Sequence, residues 1–209
     1  MDTQTLLSHI NHSPVIPVIV IDDAEVAVDL AHALVAGGIH VLEITLRTQT
    51  ALTIIHRLRD KVPQATVGAG TVRTGTQLNA ARDAGAQFIM TPGLTPKLTA
   101  AAHQISIPFI PGIATPTEAM SAAEEGFLVQ KLFPAAIIGG ERLLDAMAGP
   151  LPELRFCPTG GINTTNAKKY LALPNVLAVG GSWLTPSDAI KTRDWNQITT
   201  LARDANQLR

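Results

Sequence analysis

Eight short apolar runs, each followed by a helix-like pattern, succeed one another along the chain. They cover residues 15–20, 40–46, 65–69, 87–90, 107–110, 128–134, 155–158 and 176–179. Strands that alternate with helices are joined as parallel neighbours through helical crossovers. Strands buried on both faces read as continuous apolar runs, as these do. Eight such units predict an α/β fold, a closed (β/α)8 TIM barrel, with residues 1–209 as a single barrel domain. The rival is a doubly wound open sheet. Its dinucleotide-binding form needs a glycine fingerprint in the first turn, where this chain has Ile21-Asp22-Asp23.

The punctuation between runs fits this reading. Asp22 or Asp23 can cap a helix ending near residue 36, before Gly37-Gly38. Further helices are expected from about 48 to 62, over 74–84, from Thr95 with Pro96 at its first position, and from Thr115-Pro116-Thr117-Glu118. Others follow Gly139-Gly140, run over about 164–171, and close the chain over about 195–207.

In such a barrel the chemistry sits at the C-terminal ends of the strands. Lys131 lies among Leu, Val and Phe in the sixth run. An ammonium there loses hydration, which disfavours its charged form, and a partly neutral lysine is a nucleophile toward carbonyls. The plain alternative is a lysine whose stem lies along apolar surface with its head in water. In the second run, Glu43, Thr45 and Arg47 share one strand face, while Leu42, Ile44 and Leu46 point the other way. Lys131 alternates with Val129 and Phe133, so it can face the same interior as Glu43. A buried ion pair without catalysis is the bland reading. Because such pairs often stabilise no more than apolar packing, functional use explains two costly charges better.

The seventh and eighth runs end in Thr159-Gly160-Gly161 and Gly180-Gly181-Ser182. Glycines let backbone amides approach an anion, and barrels commonly bind phosphate in the loops after these two strands. Gly68-Ala69-Gly70-Thr71 and Thr91-Pro92-Gly93 close the third and fourth runs. Thr71 could donate to a small carboxylate beside Arg47, whose planar fork suits bidentate binding.

Other classes find no support. The net charge is −1 and aromatic residues make up 4%, so neither a nucleic-acid surface nor a polybasic membrane patch is expected. The start, Met1-Asp2-Thr3-Gln4, does not resemble a signal peptide, and the apolar stretch 15–21 is too short to span a bilayer. A cytoplasmic protein is the expectation. One cysteine, Cys157, permits no internal disulfide and reads as an inert buried thiol. None of the six histidines ends a strand, and no metal-binding spacing occurs, so no metal is expected.

Together these motifs resemble the bacterial 2-keto-3-deoxy-6-phosphogluconate (KDPG) / 4-hydroxy-2-oxoglutarate aldolase family. The likeness runs in order from Pro14-Val15-Ile16-Pro17-Val18-Ile19 through Leu42-Glu43-Ile44-Thr45-Leu46-Arg47-Thr48, Val67-Gly68-Ala69-Gly70-Thr71-Val72 and Pro92-Gly93-Leu94. It continues through Phe133-Pro134-Ala135 and Cys157-Pro158-Thr159-Gly160-Gly161-Ile162 to Gly180-Gly181-Ser182-Trp183-Leu184. The resemblance implies a class I aldolase without cofactor, a homotrimer, cleaving KDPG to pyruvate and glyceraldehyde 3-phosphate, or 4-hydroxy-2-oxoglutarate to pyruvate and glyoxylate. It implies Lys131 as the Schiff-base lysine, Glu43 as general acid/base, and Arg47 and Thr71 as holders of the pyruvyl carboxylate. Thr159, Gly160, Gly161, Gly181 and Ser182 would line the pocket for the distal end of the 2-keto acid, expected to be phosphorylated. Phe133 would lie beside the lysine, and Pro92 would complete the substrate pocket. Thr91, Leu132 and Ala136 depart from the usual serine, phenylalanine and acidic residue. Two other functions use the same residues differently: a phosphosugar isomerase or epimerase with Glu43 as base, and a non-catalytic phosphosugar-binding barrel.

Overall fold

A computed structural model describes residues 2–209. In chain order the elements are α1 (Thr3–Asn11), β1 (Val15–Ile19), α2 (Ala24–Ala36), β2 (Val41–Thr45), α3 (Ala51–Lys61), β3 (Thr66–Gly70) and α4 (Gly75–Asp83). Then come β4 (Ile89–Met90), α5 (Pro96–Ala102), β5 (Phe109–Ile110), β6 (Gly112–Ile113), α6 (Pro116–Glu124), β7 (Val129–Leu132) and α7 (Gly140–Ala148). The remainder is β8 (Arg155–Phe156), α8 (Ala167–Leu171), β9 (Val179–Gly181), α9 (Ser187–Thr192) and α10 (Trp195–Asn206).

Local chemistry sets the helix starts. Asp23 accepts from the amides of Glu25 and Val26 to open α2. Thr74 and Thr95 cap α4 and α5 in the same way, and Thr115 forms a reciprocal capping box with Glu118 at α6. Two expected starts come later: α3 opens at Ala51 rather than 48, and α8 at Ala167 rather than 164. Neither has a side-chain cap to mark it. The helices α1 and α9 were not anticipated. Each buries only one or two residues, Leu6 and Ile10 in α1 and Ala189 in α9, too few to produce a legible period.

Every ladder is parallel. One curled sheet has the order β5-β4-β3-β2-β1-β9, and a second has the order β6-β7-β8. The fifth run, 107–110, holds only β5, and a short strand that was not expected, β6, follows directly after it. Pro111 has no N–H for a ladder and separates β5, which pairs with β4, from β6, which pairs with β7. Instead of one continuous eight-stranded ladder, isolated parallel bridges Phe156↔Val176 and Thr159↔Gly180 link the two sheets at their other edge.

The strands sort their side chains by alternation. Val15, Leu42, Ile44, Val67, Ile89, Phe109, Phe156 and Val179 pack outward against the helices. Ile16, Val41, Phe88, Met90, Ile110, Cys157 and Ala178 point inward and form a separate apolar cluster. Leu6 and Ile10 of α1 join that inner cluster and cover it from the N-terminal ends of the strands. Gly68 leaves room for this packing, since a Cβ there would lie 2.3 Å from the Phe88 ring. Among the described residues no helix is long and apolar enough to cross a membrane.

Candidate active site

Two charges stand on this inner face, above its apolar layer. Glu43 follows Val41 on β2 by two residues, and Lys131 follows Val129 on β7. The two side chains come from strands 88 residues apart and meet with Nζ 3.2 Å from Oε1. Glu43 is fully buried and Lys131 is 5% exposed. Each is the other's partner in a poorly solvated place. The second carboxylate oxygen, Oε2, is buried with no protein partner among the described residues.

The neighbouring backbone is shaped around this pair. Gly70 lies beside Thr45 in the β2–β3 register, and a Cβ on it would fall 1.9 Å from Glu43 Oε1. Only glycine leaves the carboxylate where it is. The Lys131 amide donates to the Pro111 carbonyl at 2.7 Å, and Gly112 is its Cα partner. A Cβ on Gly112 would meet the Pro92 carbonyl carbon at 2.3 Å, so the Pro92-Gly93 turn can close against the strand. The Phe133 ring centroid lies 5.6 Å from Nζ, within range of a cation–π contact.

Arg47 stands at the exposed mouth. Its Nε donates to Thr45 Oγ1 at 3.4 Å, and that hydroxyl donates in turn to the Ile19 carbonyl at 2.9 Å. Thr71 adopts φ +58°, a left-handed conformation that is unusual for a β-branched residue. Backbone strain of this kind concentrates at functional sites.

A cavity of about 170 Å³ is lined by Val18, Glu43, Arg47, Thr71, Pro92, Lys131, Phe133 and Thr159. A second, of about 150 Å³, adjoins it and is lined by Arg47, Phe133, Thr159, Gly160, Gly161, Gly181 and Ser182 among others. All eleven residues singled out in the sequence thus line one bipartite pocket, and Arg47 reaches both halves. The second half is walled largely by backbone. Gly160 and Gly161 have φ of +100° and +75°, conformations open to glycine, and a Cβ on Gly180 would lie 2.2 Å from Thr159 Oγ1. The first half suits a small carboxylate-bearing carbonyl compound, and the second a compact polar or anionic tail.

Sequence reasoning missed Val18, which lines both halves, and placed Thr45 on the face of Glu43 and Arg47 without giving it a role; it tethers Arg47. Val18 follows Ile16 by two, so strand alternation could have placed it. Gln130, on the opposite face from Lys131, finds its partners in the carbonyls of Ala119 (2.9 Å) and Phe127 (2.8 Å). Cys157 lies in the apolar layer beneath the pair, and burial pushes its thiol up to about 12. It is therefore an inert packing residue at neutral pH.

Residues 6–201 match the protein family described as aldolase, KDPG and KHG aldolase. The KHG/KDPG aldolase of Escherichia coli (strain K12) is 52% identical over 192 residues, which cover 92% of this chain and 90% of that one. The 2-dehydro-3-deoxy-phosphogluconate aldolase of Dickeya dadantii (strain 3937) is 53% identical with the same coverage. Among solved structures, the KDPG aldolase of Legionella pneumophila, with pyruvate captured as a covalent carbinolamine, superposes with a TM-score of 0.92. Its sequence is 47% identical, and the match covers 95% of this chain and 97% of that one.

Proposed function

This chain belongs to the KDPG and KHG aldolase family, and we propose that Lys131 is the amine through which it works. It is a carbon–carbon lyase, a class I aldolase. Its substrates are KDPG, cleaved to pyruvate and glyceraldehyde 3-phosphate, and 4-hydroxy-2-oxoglutarate, cleaved to pyruvate and glyoxylate. The observation that carries the residue assignment is the buried Lys131–Glu43 pair, opening into a cavity that also holds Arg47 and Thr71.

The chemistry follows from that arrangement. Arg47, with Thr71, holds the carboxylate of the 2-keto acid, so that C2 lies within reach of Nζ. Proton transfer within the pair frees the Lys131 lone pair, which adds to C2 and gives a carbinolamine. Glu43 hands that proton to the carbinolamine hydroxyl, which leaves as water, so that an iminium and an ionised carboxylate remain. Glu43 takes the proton of the C4 hydroxyl, the C3–C4 bond breaks, and its electrons flow into the iminium to form an enamine. The aldehyde departs. Glu43 then returns its proton to C3, and water releases pyruvate and the free amine. One carboxylate serves as base and then as acid. The distal half-pocket of Thr159, Gly160, Gly161, Gly181 and Ser182 receives the aldehyde end, with a phosphate on the glycine amides when one is present. Pro92 and Phe133 close the sides.

The bridges Phe156↔Val176 and Thr159↔Gly180 support closure of the two sheets into one (β/α)8 barrel spanning residues 1–209. A homotrimer, the assembly that the family resemblance implies, completes the reading. Borohydride added with pyruvate tests the lysine. A stable mass increase is expected on the peptide holding Lys131 and none in Lys131→Ala. Full turnover by Lys131→Ala would remove the assignment.

A further inference from the structure

The two charges of the site stand on different sheets. Glu43 belongs to the six-stranded sheet through β2, and Lys131 to the three-stranded one through β7. Their 3.2 Å contact therefore depends on how the two sheets are held together. At one edge the backbone does this. The amides of Phe156, Leu177 and Gly180 donate to the carbonyls of Asn175, Phe156 and Pro158 at 2.7, 2.9 and 2.8 Å.

The other edge is held differently. The ladder between β4 and β5 ends with Met90↔Ile110, and β6 is the outer strand of the three-stranded sheet. Gly112 on β6 gives its amide to a side chain: it donates to Thr91 Oγ1 at 3.0 Å. The same hydroxyl donates to the Gly93 carbonyl at 2.8 Å. Thr91 directly follows β4 and is fully buried. One hydroxyl thus uses its proton on the turn after β4 and a lone pair on β6. Both partners lie close to the chemistry. Gly112 is the register partner of Lys131, and Pro92, between Thr91 and Gly93, lines the cavity beside Glu43 and Lys131. Thr91 itself lines neither half of the pocket.

We infer that Thr91 is a positioning residue. Its hydroxyl staples the two sheets beside the active site, and by fixing β6 and the Pro92-Gly93 turn it sets the separation of Lys131 from Glu43. This rests on the assignment of Lys131 and Glu43 above and deepens it. An amine and a carboxylate that pass a proton in both directions need a fixed separation. The staple acts on those proton steps. Arg47 and Thr71, which hold the substrate carboxylate in that scheme, follow β2 and β3 and stand apart from it.

Three substitutions in the full-length protein test this. Thr91→Ser keeps the hydroxyl. Thr91→Val keeps the shape and removes it. Thr91→Cys offers a serine-like shape with only a weak hydrogen-bonding group, and carries the test where the valine form does not fold. KDPG cleavage is measured at a temperature where circular dichroism shows each variant folded. Thr91→Ser is expected to keep the native kcat. The valine and cysteine forms should lose about tenfold in kcat, part of the about 100-fold that a misplacement of about 1 Å can cost, with KM near its native value. Hydrogen exchange at the Gly112 amide should be slow in the native and serine forms and fast in the other two. A folded valine or cysteine form with native kcat overturns the proposal, since the hydroxyl would then serve the fold alone. A serine form as slow as those two also overturns it, since the methyl group would then be what matters. Borohydride trapping of pyruvate on the native chain keeps the underlying assignment separate. An active native chain left unlabelled at Lys131 removes that assignment, whereas a labelled one with indifferent Thr91 variants removes the staple alone.

Discussion

Lys131 and Glu43 are costly residues to bury. Removing one leaves the other charged and unpaired, which costs about 3–5 kcal/mol, whereas replacing both with apolar residues is often neutral or stabilising. Lys131→Ala is therefore expected to lose both cleavage and stability. The double variant Glu43→Leu/Lys131→Met should regain the stability in urea unfolding while remaining inactive. A double variant as unstable as the single one would mean that the pair holds the fold. Gly70 makes a sharper test, because it touches no substrate in the proposed scheme. Its Cβ would sit 1.9 Å from Glu43 Oε1, so Gly70→Ala must push the carboxylate aside. Misplacement by about 1 Å can cost about 100-fold in rate. Steady-state kinetics should show kcat falling by about that factor, with pyruvate still trapped by borohydride.

At the scale of the element, β7 does two jobs on two faces. Lys131 points inward to the cavity, and Gln130 points outward and ties the strand to the Ala119 carbonyl of α6 and to the Phe127 carbonyl. An apolar residue there leaves one buried and one part-buried acceptor without their donor. Gln130→Leu is expected to lower the unfolding free energy by about 1–3 kcal/mol. Its kcat should stay near that of the native chain, because Lys131 is held separately by the bond from its amide to the Pro111 carbonyl. A variant of unchanged stability would show that the amide contributes nothing net.

Across the whole molecule, the site has an apolar floor, and that floor is closed by a helix from outside the repeating pattern. Leu6 and Ile10 of α1 are buried against Ile16, Val41, Phe88, Met90, Ile110, Cys157 and Ala178. Truncating a fully buried isoleucine costs about 2–5 kcal/mol. Ile10→Ala is expected to lower the unfolding free energy by that measure, and the thermal midpoint with it, while sparing the reaction at the opposite ends of the strands. An equal loss of kcat, read at a temperature where the variant is folded, would tie the floor to the chemistry.

Much of this was legible in the one-dimensional string because two of its signals are local. Strand alternation assigned Glu43 and Lys131 to one face and Leu42 and Ile44 to the other, and the inner and outer clusters follow that division. Caps such as Asp23, Thr95 and Thr115 mark helix starts by their own hydrogen bonds. What depends on residues far apart in the chain could not be read there. The pairing of the extra strand β6 with β7, the covering helix α1, the 3.2 Å meeting of Nζ and Oε1, and the demand for glycine at position 70 all arise from contacts between distant segments. Local sequence sets which way a side chain faces, and only the packed chain sets what it meets.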